Sequence, residues 1–147
     1  MPKKAPRDTP CYCINFRRAA NALTKFYDRA FAPVNLTTNQ FSLLNGIQLL
    51  RGCNKSELAR FSRLDRTTII RSLRVLREKG LIEDATEAGS RNKGIRLTEA
   101  GRKALAGGMG GWERVQKQIE SKLGAEKLRV LQEILVDFAT LDGGEHT

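Results

Sequence analysis

Apolar residues recur at helical spacing along most of this chain, and the phase of that recurrence predicts its elements. In residues 11–32, CYCINFRRAANALTKFYDRAFA, the positions Ala19, Leu23, Phe26 and Ala30 fall on one side, and Phe16, Tyr27 and Phe31 widen it. That apolar arc is broader than one small domain needs, so a partner helix is expected to cover part of it. Pro33 ends this helix. Phe41, Leu44, Ile47 and Leu50 repeat along the next helix, which opens at Thr37 with Gln40 in capping-box register and ends at Gly52. Asn54 and Glu57 repeat the capping logic for a third helix, with Leu58, Ala59 and Phe61 as its core positions. Leu64 marks a tight corner, and Asp65 caps a fourth helix that Gly80 stops. Within it Ile69, Leu73 and Leu76 form a buried stripe.

Leu81-Ile82-Glu83-Asp84 and Gly94-Ile95-Arg96-Leu97 are the segments that read as strands. The connection between them holds Gly89, Ser90, Arg91, Asn92, Lys93 and Gly94, a polar, basic, turn-prone run suited to a hairpin tip. Thr98 caps a fifth helix running to about Leu123, and residues 125–141 form a sixth. Inside the fifth, Gly107-Gly108-Met109-Gly110-Gly111 is unusual. Each glycine costs a helix interior up to about 1 kcal/mol relative to alanine, so a bend or local break is expected there, with close helix packing as the alternative. A phosphate-binding loop is excluded, since no strand precedes the glycines and no GK[ST] follows. The fold class is therefore mainly α with a small β-hairpin wing.

The outward face of the fourth helix changes the picture from fold to function. Arg66, Thr67, Ile70, Arg71 and Arg74 form a stripe distinct from the buried one. Arginine can bond guanine edges bidentately or pair with phosphate, and threonine offers a hydroxyl and a methyl, so this stripe suits a major-groove reader. The whole chain agrees: 26 Lys and Arg against 16 Asp and Glu give a formal charge of +10, which attracts a polyanion. No apolar run is long enough to span a bilayer, and MPKKAPRDTP is followed by no signal-peptide core. The three cysteines, Cys11, Cys13 and Cys53, are an odd number without secretory features, which points to a reducing cytoplasm. A metal site is not expected: C-x-C lacks neighbouring ligands, and the only histidine, His146, lies in a polar tail. Catalysis is not expected either. There is no Ser/His/Asp arrangement, no spaced metal ligands and no paired carboxylates in a suitable context, and nothing calls for a cofactor.

The order of four helices, a hairpin and two helices resembles the MarR family of bacterial winged helix-turn-helix transcription regulators. The resemblance spans roughly residues 10–142 and is carried by LTTNQFSLL, SELARFSRLDRTTIIRSLRVLREKGLI and IRLTEAG. It implies one MarR-like domain over 1–147. Residues 10–32 and 99–142 would be dimerisation helices and 37–98 the winged helix-turn-helix lobe. It also implies a homodimer binding a palindromic operator in double-stranded DNA, acting as a repressor and released by a small-molecule or oxidant signal. The recognition helix maps onto Asp65–Lys79, with Arg66, Thr67, Thr68, Ile70 and Arg71 near the groove. The family wing reads Asp-x-Arg where this chain has Gly89-Ser90-Arg91, so Arg91 keeps the minor-groove arginine and the aspartate is absent, while Lys93 and Arg96 keep the hairpin basic.

Two sensing schemes are implied. One branch of the family senses organic hydroperoxides through a cysteine near the start of helix one, which falls on Cys13. A tyrosine of that branch falls on Tyr27, and a second tyrosine position is Arg17 here. An arginine one turn from Cys13 and a helix N-terminus both favour thiolate. The other scheme uses a small aromatic acid in a cleft, with Phe16, Arg17, Phe26, Phe41, Leu44 and Trp112 as candidate lining residues. For each the bland alternative is packing. For the chain as a whole the competing reading is a non-specific architectural DNA-binding protein, since charge alone would serve it.

Overall fold

The protein is seen in a computed structural model that describes residues 10–85 and 94–141. Helix α1 (Tyr12–Phe31) runs into a 3-10 turn at Ala32–Val34, which holds Pro33, and the backbone reverses at Asn35 with φ of 53°. Helix α2 (Thr38–Leu49) opens with both halves of the expected capping box: Gln40 N–H donates to Thr37 Oγ1, and Thr37 N–H donates to Gln40 Oε1. Helices α3 (Lys55–Ser62) and α4 (Arg66–Glu78) follow, then strands β1 (Ile82–Ala85) and β2 (Gly94–Leu97), then α5 (Glu99–Ala139). Arg91 and Lys93, with the Gly89-Ser90 positions and His146, lie outside the described residues.

The core gathers one side of α2 and α4 with one or two buried apolar side chains from each of α1, α3, β1, β2 and the part of α5 before Gly124. Phe31, Phe41, Leu43, Leu44, Ile47, Leu58, Ile69, Leu73, Leu76, Ile82, Ile95 and Leu105 are all buried, and the Phe31 and Phe41 rings stack 4.2 Å apart. Two expected core positions differ. Leu50 and Phe61 remain exposed, and Leu43 is buried where the spacing favoured Leu50. Phe61 instead lies across Gly46, where an added Cβ would sit 2.8 Å from its ring.

The glycine run in α5 gives no bend: the helix continues through it, and its one non-helical residue is Gly124 (φ 76°), at the expected boundary between fifth and sixth helices. The glycines instead allow close approach. A Cβ at Gly108 would meet the Phe41 ring at 2.8 Å, and one at Gly111 would meet the Ala30 carbonyl oxygen at 2.7 Å. Their propensity cost is offset by the packing they permit.

β1 and β2 pair antiparallel, with Ile82 opposite Leu97 and Asp84 opposite Ile95. A third backbone segment joins them. Cys53 N–H donates to the Ile95 carbonyl at 3.0 Å, and Ile95 N–H donates to the Cys53 carbonyl at 2.7 Å. The residues divide into two compact units, Met1–Trp112 and Glu113–Thr147. In the second, residues 125–139 are helical, and Val130, Leu131, Leu135, Val136 and Phe138 are exposed.

Candidate nucleic-acid interface

The site is built from α3, a tight turn and α4. Asn54 caps α3: its Oδ1 accepts from Glu57 N–H, and Glu57 Oε2 accepts from Asn54 N–H, both at 2.8 Å. The helix ends at Arg63, which takes the left-handed conformation (φ 51°) and donates its N–H to the Ala59 carbonyl. Leu64 tucks against the core, and Asp65 starts α4 by accepting from Thr68 N–H at 2.9 Å and from the Thr68 hydroxyl. Those bonds, the Thr68 hydroxyl foremost, hold the Asp65 carboxyl below its ordinary value. A carboxylate at a helix N-terminus also complements the dipole.

This cap fixes the rotation of α4. Ile69, Leu73 and Leu76 point into the core, while Arg66, Thr67, Ile70, Arg71 and Arg74 are exposed together. Thr68 is half-buried, and its hydroxyl is committed to Asp65. The sequence stripe is thus one continuous outer face, with Thr68 as its anchor. Lys55, Ser56, Ala59, Arg66, Ile69 and Ile70 line a shallow cleft where the first turns of α3 and α4 meet.

The arginines divide into two groups. Arg77 donates to Asp84 at 2.9 Å and Arg96 to Glu83 at 2.7 Å, which commits both to carboxylates of β1. Arg74 lies 3.9 Å from Glu78, a weak exposed pair. Among the described residues, no carboxylate lies within ion-pair distance of Arg66 or Arg71. Arg66 opens the first turn of α4 and Arg71 lies in its second, in the N-terminal half, which is the part of a recognition helix that meets base edges.

The far end of α4 is held by contacts that sequence reasoning missed. Lys79 Nζ donates to the Asn35 carbonyl at 2.6 Å. The Thr98 hydroxyl donates to the Gly80 carbonyl at 2.6 Å and accepts from Gly101 N–H at 3.0 Å. Gly101 is packed so tightly that a Cβ would lie 2.0 Å from the Leu81 carbonyl oxygen. The cap at Thr98 was legible from its position, but the partner carbonyls of Lys79 and Thr98 lie far away in sequence and left no local signal. The same holds for Asp28, whose Oδ1 accepts from both the N–H (2.7 Å) and the hydroxyl (2.6 Å) of Thr38 and so ties α1 to α2.

The candidate sensing residues are scattered within one chain. Cys13 is exposed in the first turn of α1, while Tyr27 is half-buried and stacks on Phe31 with centroids 6.3 Å apart. Fourteen residues of helix separate them by about 21 Å. Phe41 and Leu44 belong to the core, Trp112 and Tyr27 pack against its edge, and Phe16 and Arg17 are exposed. Phe26 is half-buried, with the Arg29 guanidinium 5.6 Å from its ring centre. Cys53 is buried, and burial, with Glu57 nearby, pushes its thiol up to about 11, as befits a packing residue. Among the described residues no acidic, histidine or cysteine cluster could hold a metal, and no helix is long and apolar enough to cross a membrane.

Residues 36–101 match the family described as a winged helix DNA-binding domain. No curated protein matches the chain. Among solved structures it is similar to the M. tuberculosis transcriptional regulator MosR in complex with DNA, at 38% identity and a TM-score of 0.74, over 88% of this chain and 96% of that one. It is also similar to the transcriptional repressor CouR bound to a 23-mer DNA duplex, at 25% identity and a TM-score of 0.78, over 92% and 97%. A CouR structure bound to p-coumaroyl-CoA, 24% identical, shares the fold with a TM-score of 0.81 over 95% and 99%. A further regulator of the MarR family, 19% identical, shares it with a TM-score of 0.73 over 89% of each chain.

Proposed function

The chain belongs to the MarR family of winged helix DNA-binding transcription regulators, and from that premise we propose that it is a repressor that grips a palindromic operator as a homodimer. The observation that carries this reading is the outer face of α4, where Arg66 and Arg71 are exposed with no carboxylate in ion-pair distance among the described residues, while both ends of the helix are tied down. A helix already fixed in the free protein loses little further freedom on docking, so its arginines can discriminate between bases. By the family resemblance Arg91, outside the described residues, would extend the contact into the minor groove, and Lys93 would add positive charge beside it.

Apolar faces left exposed support the dimer. Tyr12, Ile14, Phe16 and Leu23 of α1, and Leu131, Leu135, Val136 and Phe138 beyond Gly124, expose apolar surface that a second copy would bury. Residues 10–32 and 99–142 are then the dimerisation helices of a single regulator, and 37–98 its DNA-binding lobe. Its work is regulation rather than catalysis, in the cytoplasm beside the DNA. We assign its release to a small aromatic acid or an organic hydroperoxide. Half-buried Phe26, with the Arg29 guanidinium beside its ring, and half-buried Trp112 are the motive for the first, and exposed Cys13 for the second. In a dimer a second copy could supply the Tyr27 that one chain keeps far from Cys13. The test is a footprint on the DNA flanking its own gene, repeated with salicylate and with cumene hydroperoxide. Protection of one palindrome that either compound lifts is the expected result. Equal protection of all DNA would favour an architectural role, which the charge of +10 would also serve.

A further inference from the structure

The outer face of α4 contains one large apolar side chain, and its placement is informative. Ile70 is 48% exposed, with Arg66 and Thr67 a turn before it, Arg71 beside it and Arg74 a turn after. The neighbouring Ile69 is 2% exposed and satisfies the core stripe, so Ile70 is not a core residue displaced by crowding. It lines the cleft at the first turns of α3 and α4 together with Lys55, Ser56, Ala59 and Arg66. Lys55 and Arg66 flank it with positive charge, which excludes an apolar protein partner as the simplest occupant and favours a polyanion carrying an apolar knob. A β-branched side chain in a helix has one strongly preferred χ1 rotamer, so Ile70 presents its methyl groups at a fixed place with little entropy to lose. Among base edges in the major groove, the apolar group is the C5-methyl of thymine.

We propose that Ile70 is a specificity-determining residue that selects thymine by packing on its C5-methyl. Arg66 and Arg71 supply the polar contacts on either side. The inference rests on the reading of α4 as the recognition helix and adds a defined base preference to it. Deoxyuridine differs from thymidine by that methyl alone, so it isolates the contact without disturbing pairing.

The experiment begins with duplexes enriched from a randomised pool by the full-length parent protein. Each thymine of the enriched site is then replaced singly by deoxyuridine, and Kd is measured for the parent and for Ile70→Ala. Burial of one methyl corresponds to about a fourfold change in affinity. The parent should lose about that factor at one thymine in each half-site. Ile70→Ala should bind the thymine duplex correspondingly more weakly and should no longer distinguish thymine from deoxyuridine there. Ile70→Val, which keeps the branched methyls, should retain the discrimination. Discrimination that persists unchanged in Ile70→Ala, or an enriched site indifferent to every deoxyuridine replacement, would overturn the proposal while leaving the regulator reading intact. A pool that stays random would overturn both.

Discussion

The outer face of α4 carries Arg66, Arg71 and Arg74, whereas residues 125–139 of α5 expose Leu131, Leu135, Val136 and Phe138. Both faces stand in water, but for opposite physical reasons. A guanidinium is well solvated, so an exposed arginine costs the fold nothing. It becomes informative when no neighbouring carboxylate among the described residues neutralises it, as at Arg66 and Arg71. An exposed leucine is unfavourable by roughly 25 cal/mol per Å² of apolar surface, so a row of them is informative by itself. The first face suits an anion and the second suits an apolar cover. DNA binding should therefore be governed by salt, and self-association should be nearly independent of it.

The largest effect should come from spoiling the apolar face. Leu131→Glu combined with Leu135→Glu should convert a dimer to a monomer in sedimentation at micromolar concentration, and operator binding should be lost with it. Leu131 and Leu135 are already partly covered, so burying their exposed remainder would contribute about 1–3 kcal/mol to the association, and two introduced carboxylates would add repulsion across the seam. A variant that stays dimeric would place the seam elsewhere.

Salt separates the two faces next. Raising it from about 50 to 200 mM should lower DNA affinity by a factor on the order of a thousand if the dimer makes several phosphate contacts, while the sedimenting mass stays that of a dimer. Arg71→Ala should cost about 1–3 kcal/mol of operator affinity and relax preference at one base pair, as measured by titration against single-position operator variants. The same substitution should leave thermal stability unchanged, because Arg71 has no internal ion pair among the described residues.

A smaller effect tests how α4 is held. Asp65→Ala should lower the unfolding midpoint and Asp65→Asn should retain most of it, since an amide oxygen still caps Thr68. The folded Asp65 carboxyl titrates below its ordinary value of 3.8, so its contribution is complete above about that pH and fades as pH falls through the folded value. Asp65→Ala should accordingly be less sensitive to acid than the parent between those values in a pH series of thermal melts.

Cys53 gives the smallest effect, with the opposite sign. Its folded thiol titrates near 11 against an ordinary 9.0, so the unfolded chain ionises first, and any stability it contributes is present below pH 9 and lost as pH rises toward 11. At pH 8 a thiol reagent should modify Cys11 and Cys13 quickly and Cys53 only on unfolding. Fast labelling of Cys53 in the folded protein would contradict its burial.

The parts of the site written in local sequence were legible. The capping pairs Thr37 with Gln40 and Asn54 with Glu57, the cap at Asp65 and the Ile69, Leu73, Leu76 stripe each depend on residues within two turns of one another, and all form. The features that escaped depend on distant partners. Gly108 and Gly111 look like helix breakers until Phe41 and Ala30 are brought against them. Leu50 fits the helical period of α2 but falls at its C-terminal end, where the stripe has turned away from the core. Cys53 offers no strand pattern of its own, because a single bridge to Ile95 needs no alternation. Lys79 reads as an ordinary basic residue in a last turn, yet it holds the end of α4 to a carbonyl 44 positions away.

The central claim is that the exposed face of α4, presented twice by a dimer, reads one DNA sequence. A hydroxyl-radical footprint on an enriched duplex, run with the parent and with Arg66→Ala combined with Arg71→Ala, tests it most directly. The parent should protect two segments whose centres lie about one helical turn, or a whole multiple of it, apart, and the double variant should protect neither at the same concentration. Protection spread evenly along the duplex, or a parent pattern that the double variant reproduces, would contradict the account.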